Sequence, residues 1–130
     1  MTTATEVERV TEEKALTTLR DVVAERPEYV YSAPEYMKDG RDDGMCYYVH
    51  TDETGELVSA GCVVGVVLNR LGIPLDVLAE EEERPAYRVV ARLFPEFSKR
   101  ALNTFNDVQM SQDEGEPWGT AYAKATGETI

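Results

Sequence analysis

The spacing of apolar residues predicts a mainly helical chain. Leu16, Leu19 and Val23 recur at helical spacing behind Thr11, a typical N-cap residue, and Pro27 ends the segment. Four further helical patterns follow in the second half of the chain, in the stretches PLDVLAEEEE, RPAYRVVARLF, PEFSKRALNTFNDVQMSQDEG and EPWGTAYAKATG. The longest of these presents an inward face made of Ala101, Phe105, Val108 and Gln112.

The segment 61–71 is apolar nearly all round, so we predict a helix in the centre of the domain. Gly72 and Pro74 are the expected stop signals behind it. Gly65 inside this segment costs roughly 1 kcal/mol of helix propensity, and we expect it to let another backbone approach closely.

A different pattern, alternation, runs through CYYVHTDETGELVSAG and predicts a hairpin at about 46–60 that turns through 52–55. Residues 29–32, YVYS, are a third strand candidate because they are rich in aromatic and β-branched side chains. The predicted fold is α+β: a small antiparallel sheet of two to three strands packed against about five helices, with the central apolar helix at about 62–71. We expect one domain over 1–130, with 1–10 forming a frayed tail or a weak turn.

Composition narrows the class of partner. The 130 residues are 42% hydrophobic, no secretory signal is visible and no apolar run is long enough for a membrane span, so we expect a soluble protein inside the cell. The net charge is −12 and no basic stripe occurs, which disfavours direct binding to nucleic acid or to anionic membranes. Such a surface fits either simple solubility or docking onto a basic protein.

Cys62 raises the main chemical question, because it stands where the central helix is predicted to begin. A helix N-terminus can activate a thiol, with His50 as general base and Asp52 orienting the imidazole. We favour a structural interpretation, since free cysteine is among the most buried residue types and valines follow it directly. A second alternative is zinc held by Cys46, His50 and Cys62, although closely paired ligands are absent. We predict no metal and no other cofactor, and free thiols for both cysteines.

Other polar groups receive structural interpretations. The acidic run at 80–83 is predicted to be a solvated face that forms exposed ion pairs with Arg84, Arg88 and Arg92. Gln109 and Gln112 are predicted to be hydrogen-bonded and to fix the geometry between helices, while Trp118 covers that end of the core.

Tyrosines and carboxylates concentrate between residues 29 and 48. Tyrosine is enriched at interface hot spots, and the alternative is cross-strand packing. The predicted partner-binding surface therefore comprises Tyr29, Tyr31, Tyr36, Asp39, Asp42, Asp43, Tyr47 and Tyr48.

Several motifs together, VVAERPEYVY, CYYVH, GCVVGxxLxRLGIP and QxxQDxGxPWGxA, resemble those of uncharacterised small acidic proteins encoded by viruses (phages) of actinobacteria. The resemblance covers roughly residues 16–123, and it departs at Ala60–Gly61, where the relatives often carry a proline. It supplies no established catalytic residue and no cofactor that could be assigned to this chain, and it implies the cytoplasm of the infected host bacterium as the compartment.

The leading hypothesis is therefore a non-enzymatic phage accessory protein that binds a host or viral protein through an acidic, tyrosine-rich surface. A small cysteine-dependent enzyme and a zinc-stabilised domain are the alternatives. The oligomeric state is not predicted.

Overall fold

The computed structural model describes residues 10–32, 47–82 and 84–130. These residues form six helices and one two-stranded antiparallel sheet, so the predicted α+β class is confirmed. In chain order the elements are α1 Glu12–Glu25, β1 Val49–Thr51, β2 Leu57–Ala60, α2 Val63–Arg70, α3 Leu75–Ala79, α4 Ala86–Leu93, α5 Lys99–Asp113 and α6 Trp118–Thr126.

Helix α1 begins and ends where its local sequence predicts. The Thr11 side chain accepts a hydrogen bond from the Lys14 amide at 3.1 Å and thereby satisfies one free N–H of the first turn. Glu12 and Glu13 complement the helix dipole in the same turn, and the helix stops at Glu25, two residues before Pro27.

The hairpin is held by its turn as much as by its strands. The Asp52 carboxylate accepts hydrogen bonds from the amides of Thr54 and Glu56 and from the Thr54 hydroxyl, and Gly55 adopts φ +92°. The strands pair Val49 with Ala60, His50 with Ser59 and Thr51 with Leu57, so the intervening Val58 is an extra residue in β2. This β-bulge bends the strand and increases its twist.

The segment 29–32 is not a strand, which corrects the third-strand prediction. The Tyr29 and Pro27 carbonyls instead accept hydrogen bonds from the Trp118 and Gly119 amides, at 2.9 and 2.7 Å. These amides are the first two of α6, which have no partner within their own helix. The Tyr29 ring also meets the Trp118 ring edge-on at 4.8 Å. The segment after α1 therefore caps α6 rather than extending the sheet.

Helix α2 lies in the centre of the core, as its sequence predicts. Val63, Val64, Val67 and Leu68 are all fully buried. The close approach expected at Gly65 is confirmed, because a Cβ there would lie 2.4 Å from the Tyr48 carbonyl oxygen. The residue must be glycine for the hairpin backbone to reach the helix.

Helix α5 packs against α2, α4 and α6 and so connects the helical part of the fold. Its predicted inward face is confirmed, since Ala101, Phe105, Val108 and Gln112 are all buried. Within the described residues, no helix combines the length and the apolar character needed to cross a membrane.

Candidate functional site

Cys62 is the N-cap residue of α2, and its side chain is completely buried. Its free thiol accepts a hydrogen bond from Gln109 Nε2, with 3.1 Å between nitrogen and sulfur. The thiol therefore lies in the core and is already engaged by a neighbouring amide. A reagent or substrate reaches it only after the core opens.

The first amides of α2 are capped by glutamines from a different helix. Val63 N–H donates to Gln112 Oε1 at 2.9 Å, and Val64 N–H donates to Gln109 Oε1 at 3.3 Å. The indole of Trp118 donates to the same Gln112 oxygen at 3.1 Å. The predicted role of both glutamines in fixing helix geometry is confirmed. The Val63 and Val64 N–H groups, which could have bound an anion at this helix start, are therefore satisfied from within the protein.

A third residue of α5, Asn106, also caps another helix, and this role was not predicted from the sequence. Asn106 Oδ1 accepts a hydrogen bond from the Tyr87 amide in the first turn of α4, at 3.0 Å. Asn106, Gln109 and Gln112 are spaced by three, so they share one side of α5. The signal available in the sequence was this run of amide side chains beside an apolar face.

His50 is half-buried and is bonded away from Cys62. Its Nε2 lies 2.8 Å from the Tyr31 hydroxyl, and that hydroxyl also accepts a hydrogen bond from the Tyr47 amide at 3.0 Å. The imidazole lies so close to Gly61 that a Cβ there would be 2.7 Å from Nε2. Burial lowers the pKa of His50, so the ring is neutral at neutral pH.

The arrangement expected of a cysteine enzyme is not formed by these three residues. The Asp52 carboxylate is used by the hairpin turn, and the Thr54 hydroxyl is the main cause of its lowered pKa. Among the hydrogen bonds of the described residues, none joins His50 to Cys62 or to Asp52. The prediction that Asp52 orients the imidazole is therefore wrong, because the turn needs that carboxylate.

The zinc alternative depends on Cys46, which lies outside the described residues. In the described part of the chain, no group of three or more His, Cys, Asp or Glu side chains could hold a metal ion.

Half of the predicted partner-binding residues also lie outside the described residues, namely Tyr36, Asp39, Asp42 and Asp43. Tyr29, Tyr31 and Tyr47 are half-buried. Tyr48 is only 3% exposed, and its hydroxyl donates to the Arg84 carbonyl. Its predicted place on the binding surface is wrong, because the ring belongs to the core.

The acidic run after α3 was predicted to be a solvated face, and this is correct for the exposed Glu80 but wrong for Glu81. Glu81 is fully buried, and its two oxygens accept hydrogen bonds from Arg84 Nη1 at 3.0 Å and Arg92 Nε at 2.9 Å. Burial of a carboxylate requires such partners. The predicted pairing of Arg84 and Arg92 with this run is confirmed.

The neighbouring carboxylate, that of Glu82, binds the backbone at the start of β1. Its two oxygens accept hydrogen bonds from the amides of Tyr48 and Val49, each at 3.0 Å. The edge of β1 that faces away from β2 is therefore occupied where the strand begins.

The opposite edge of the sheet, along β2, is unpaired and apolar in the part of the chain that the structure describes. Val58 and Leu57 are 58% and 40% exposed, and Ser59 is also exposed. Among the described residues, β2 pairs with no strand other than β1. The turn beside it carries Asp52, Glu53 and Glu56, while residues 47–69 contain no lysine or arginine. We call the set Asp52, Glu53, Glu56, Leu57 and Val58 the hairpin surface.

A groove of about 690 Å³ lies between α1, α5 and α6. Leu16 and Tyr122 contribute to its lining, which also includes Arg100 and carboxylates such as Asp107. This mixture of charges does not specify one class of ligand. The hairpin surface is the better-defined candidate because its charge has one sign.

The chain matches no family model, no curated protein and no solved structure. Its site must accordingly be interpreted from its own residues.

Proposed function

We propose that this protein is a non-enzymatic binding protein that docks onto a basic partner protein through the hairpin surface. The observation that carries the proposal is the exposure of Val58 and Leu57 beside three carboxylates, with no cationic residue nearby in the sequence. This surface differs from the acidic, tyrosine-rich surface predicted from the sequence, because none of its five residues belongs to the predicted set and its centre lies at β2.

The combination has a physical rationale. Exposure of two adjacent aliphatic side chains to water is unfavourable. Covering them with a partner stabilises the complex by about 25 cal/mol for each Å² of apolar surface removed from water. Carboxylates at the margin of such a patch stay hydrated, accelerate encounter with a positively charged partner and disfavour acidic ones. Affinity would come from Leu57 and Val58, and selection from Asp52, Glu53 and Glu56.

The resemblance to phage-encoded proteins supports the kind of partner. A phage accessory protein acts in the cytoplasm of the infected bacterium, where the partner would be a host or viral protein with a basic surface. A net charge of −12 suits binding to the nucleic-acid-contacting face of such a protein.

The test is quantitative affinity capture from a lysate of the bacterial host, with two charge-reversal variants of equal net charge. The first carries Glu53→Lys and Glu56→Lys on the hairpin surface. The matched control carries Glu96→Lys and Asp107→Lys, which are exposed positions before and within α5. We expect one basic partner to be captured by the wild type and the control, to be lost from the hairpin variant, and to dissociate as salt increases.

Equal capture by the hairpin variant would contradict the proposal. Equal loss in both variants would also contradict it, because the interaction would then depend on overall charge and not on this surface.

A further inference from the structure

We propose that the partner binds as an added β-strand: an extended, basic segment pairs with the outer edge of β2 and makes the sheet three-stranded. This inference rests on the proposed function and specifies the form of the partner. Strand addition uses backbone hydrogen bonds for affinity and alternate side chains for specificity.

The two edges of the sheet differ, and the difference selects β2. The Glu82 carboxylate already binds the Tyr48 and Val49 amides at the start of β1. Helix α3 contacts both strands and carries Glu82 just beyond its end. No described side chain binds the backbone of β2 in this way, and β2 has a single strand partner among the described residues.

The sequence of β2 also lacks most of the features that usually protect an edge strand. Lysine and proline commonly block such edges, but β2 reads Leu-Val-Ser-Ala. The bulge at Val58 is one protective feature, and it precedes the regularly paired Ser59 and Ala60. A partner strand would therefore pair with the regular part of β2.

Backbone hydrogen bonds fix β2 to the rest of the domain. Beyond β2, the amides of Gly61 and Cys62 donate to the carbonyls of Tyr48 and Tyr47, each at 2.9 Å. These bonds continue the pairing of the hairpin as far as the first residue before α2. The edge is therefore fixed to the core before the partner arrives, which lowers the entropic cost of association.

The charges define the occupant. Glu53 and Glu56 lie at the turn end of β2, and the exposed aliphatic side chains follow. Side chains of an added strand alternate between faces. A segment that alternates lysine or arginine with aliphatic residues would bring cations toward the carboxylates and cover Leu57 or Val58.

The probe is a seven-residue peptide of alternating lysine and valine with blocked ends. Its matched control has the same side chains and charge but is N-methylated at three consecutive central residues, which removes donors from both edges of the peptide. We expect the parent peptide to bind and the N-methylated peptide to bind about fivefold or more weakly, because one or two ordinary backbone hydrogen bonds would be lost, depending on which edge of the peptide faces β2. Hydrogen exchange should slow at β2 amides in the presence of the parent peptide, and Val58→Lys should reduce its binding.

Equal binding of both peptides would overturn strand addition and leave charge-driven docking on the hairpin surface intact. Binding of neither peptide would also overturn it, and the affinity capture described above would then decide the proposed function separately. Slowed exchange at β2 that depends on protein concentration without peptide would assign this edge to a second copy of the chain instead.

Discussion

The amide of Gln112 should be among the most important polar groups for stability. Its Oε1 accepts from two donors, the Val63 amide and the Trp118 indole, and Gln112 itself is 2% exposed. The substitution Gln112→Leu keeps a side chain of similar size but removes this acceptor. Both donors would then be buried without a partner.

The magnitude follows from the number of donors left unsatisfied. Each buried donor that loses its partner costs about 1–3 kcal/mol, so the two together should lower the free energy of unfolding by about 2–6 kcal/mol. A domain of this size has a total stability of about 5–15 kcal/mol. The substitution should therefore remove a large part of the stability, although Gln112 contacts no proposed partner.

Urea unfolding followed by fluorescence measures this directly, because Trp118 is the single tryptophan in the chain and shares the Gln112 oxygen. With a slope of about 2 kcal/mol per molar urea, the midpoint should fall by about 1–3 M. Asn103→Leu is the matched control, since it makes a similar exchange at an exposed position of α5 and should stay within about 0.5 kcal/mol of the wild type.

If Gln112→Leu is too unstable to purify, Gln109→Leu offers a milder form of the test, because its oxygen accepts from Val64 at the longer distance of 3.3 Å. A midpoint for Gln112→Leu equal to that of the Asn103→Leu control would refute the capping interpretation.

Three further predictions concern Gly65, Glu81 and His50. Gly65→Ala should destabilise the protein by about 1–3 kcal/mol despite its better helix propensity, because its Cβ would lie 2.4 Å from the Tyr48 carbonyl oxygen; a thermal-melting midpoint equal to or above the wild type would contradict this. Glu81→Gln should lower the free energy of unfolding, measured with urea, by about 1–3 kcal/mol, whereas Glu80→Gln at the exposed neighbouring position should leave it almost unchanged. Equal effects of the two substitutions would show that the burial of Glu81 is unimportant for stability. Burial lowers the pKa of His50 in the folded state, so the unfolded chain binds more protons and acid favours unfolding. The contribution of the neutral imidazole to the free energy of unfolding is therefore complete above pH 6.5 and is lost as the pH falls below 6.5. His50→Gln should remove this part of the pH dependence of stability, and an unchanged dependence of the urea midpoint on pH would refute the prediction.

Elements fixed by neighbouring residues could be predicted from the sequence. The Thr11 cap, the stop before Pro27 and the Asp52–Gly55 turn involve hydrogen bonds or backbone angles within a few residues. Gly65 could be interpreted because a glycine inside an otherwise apolar helix indicates close contact.

The predictions that were wrong concern residues whose hydrogen-bond partners lie far away in the sequence. Residues 29–32 have strand propensity. However, the Tyr29 carbonyl accepts a hydrogen bond from the first turn of α6, which lies almost ninety residues later in the sequence. Glu81 was predicted to be solvated because it stands in an acidic run. It is buried because the packing of α4 places Arg92 within hydrogen-bond distance of its carboxylate. The open edge of β2 could not be predicted either, because it depends on Glu82 binding β1 and not β2.

The measurement that most directly tests whether function lies on the surface and not at Cys62 is iodoacetamide labelling of the native protein at several pH values, with mass spectrometry locating the modified residue. Cys62 is completely buried and bonded to Gln109, so we expect it to remain unmodified until urea unfolds the protein, and then to react like an ordinary thiol. Rapid labelling of Cys62 in the folded protein near neutral pH would contradict the structural interpretation and would support the alternative of a cysteine-dependent enzyme.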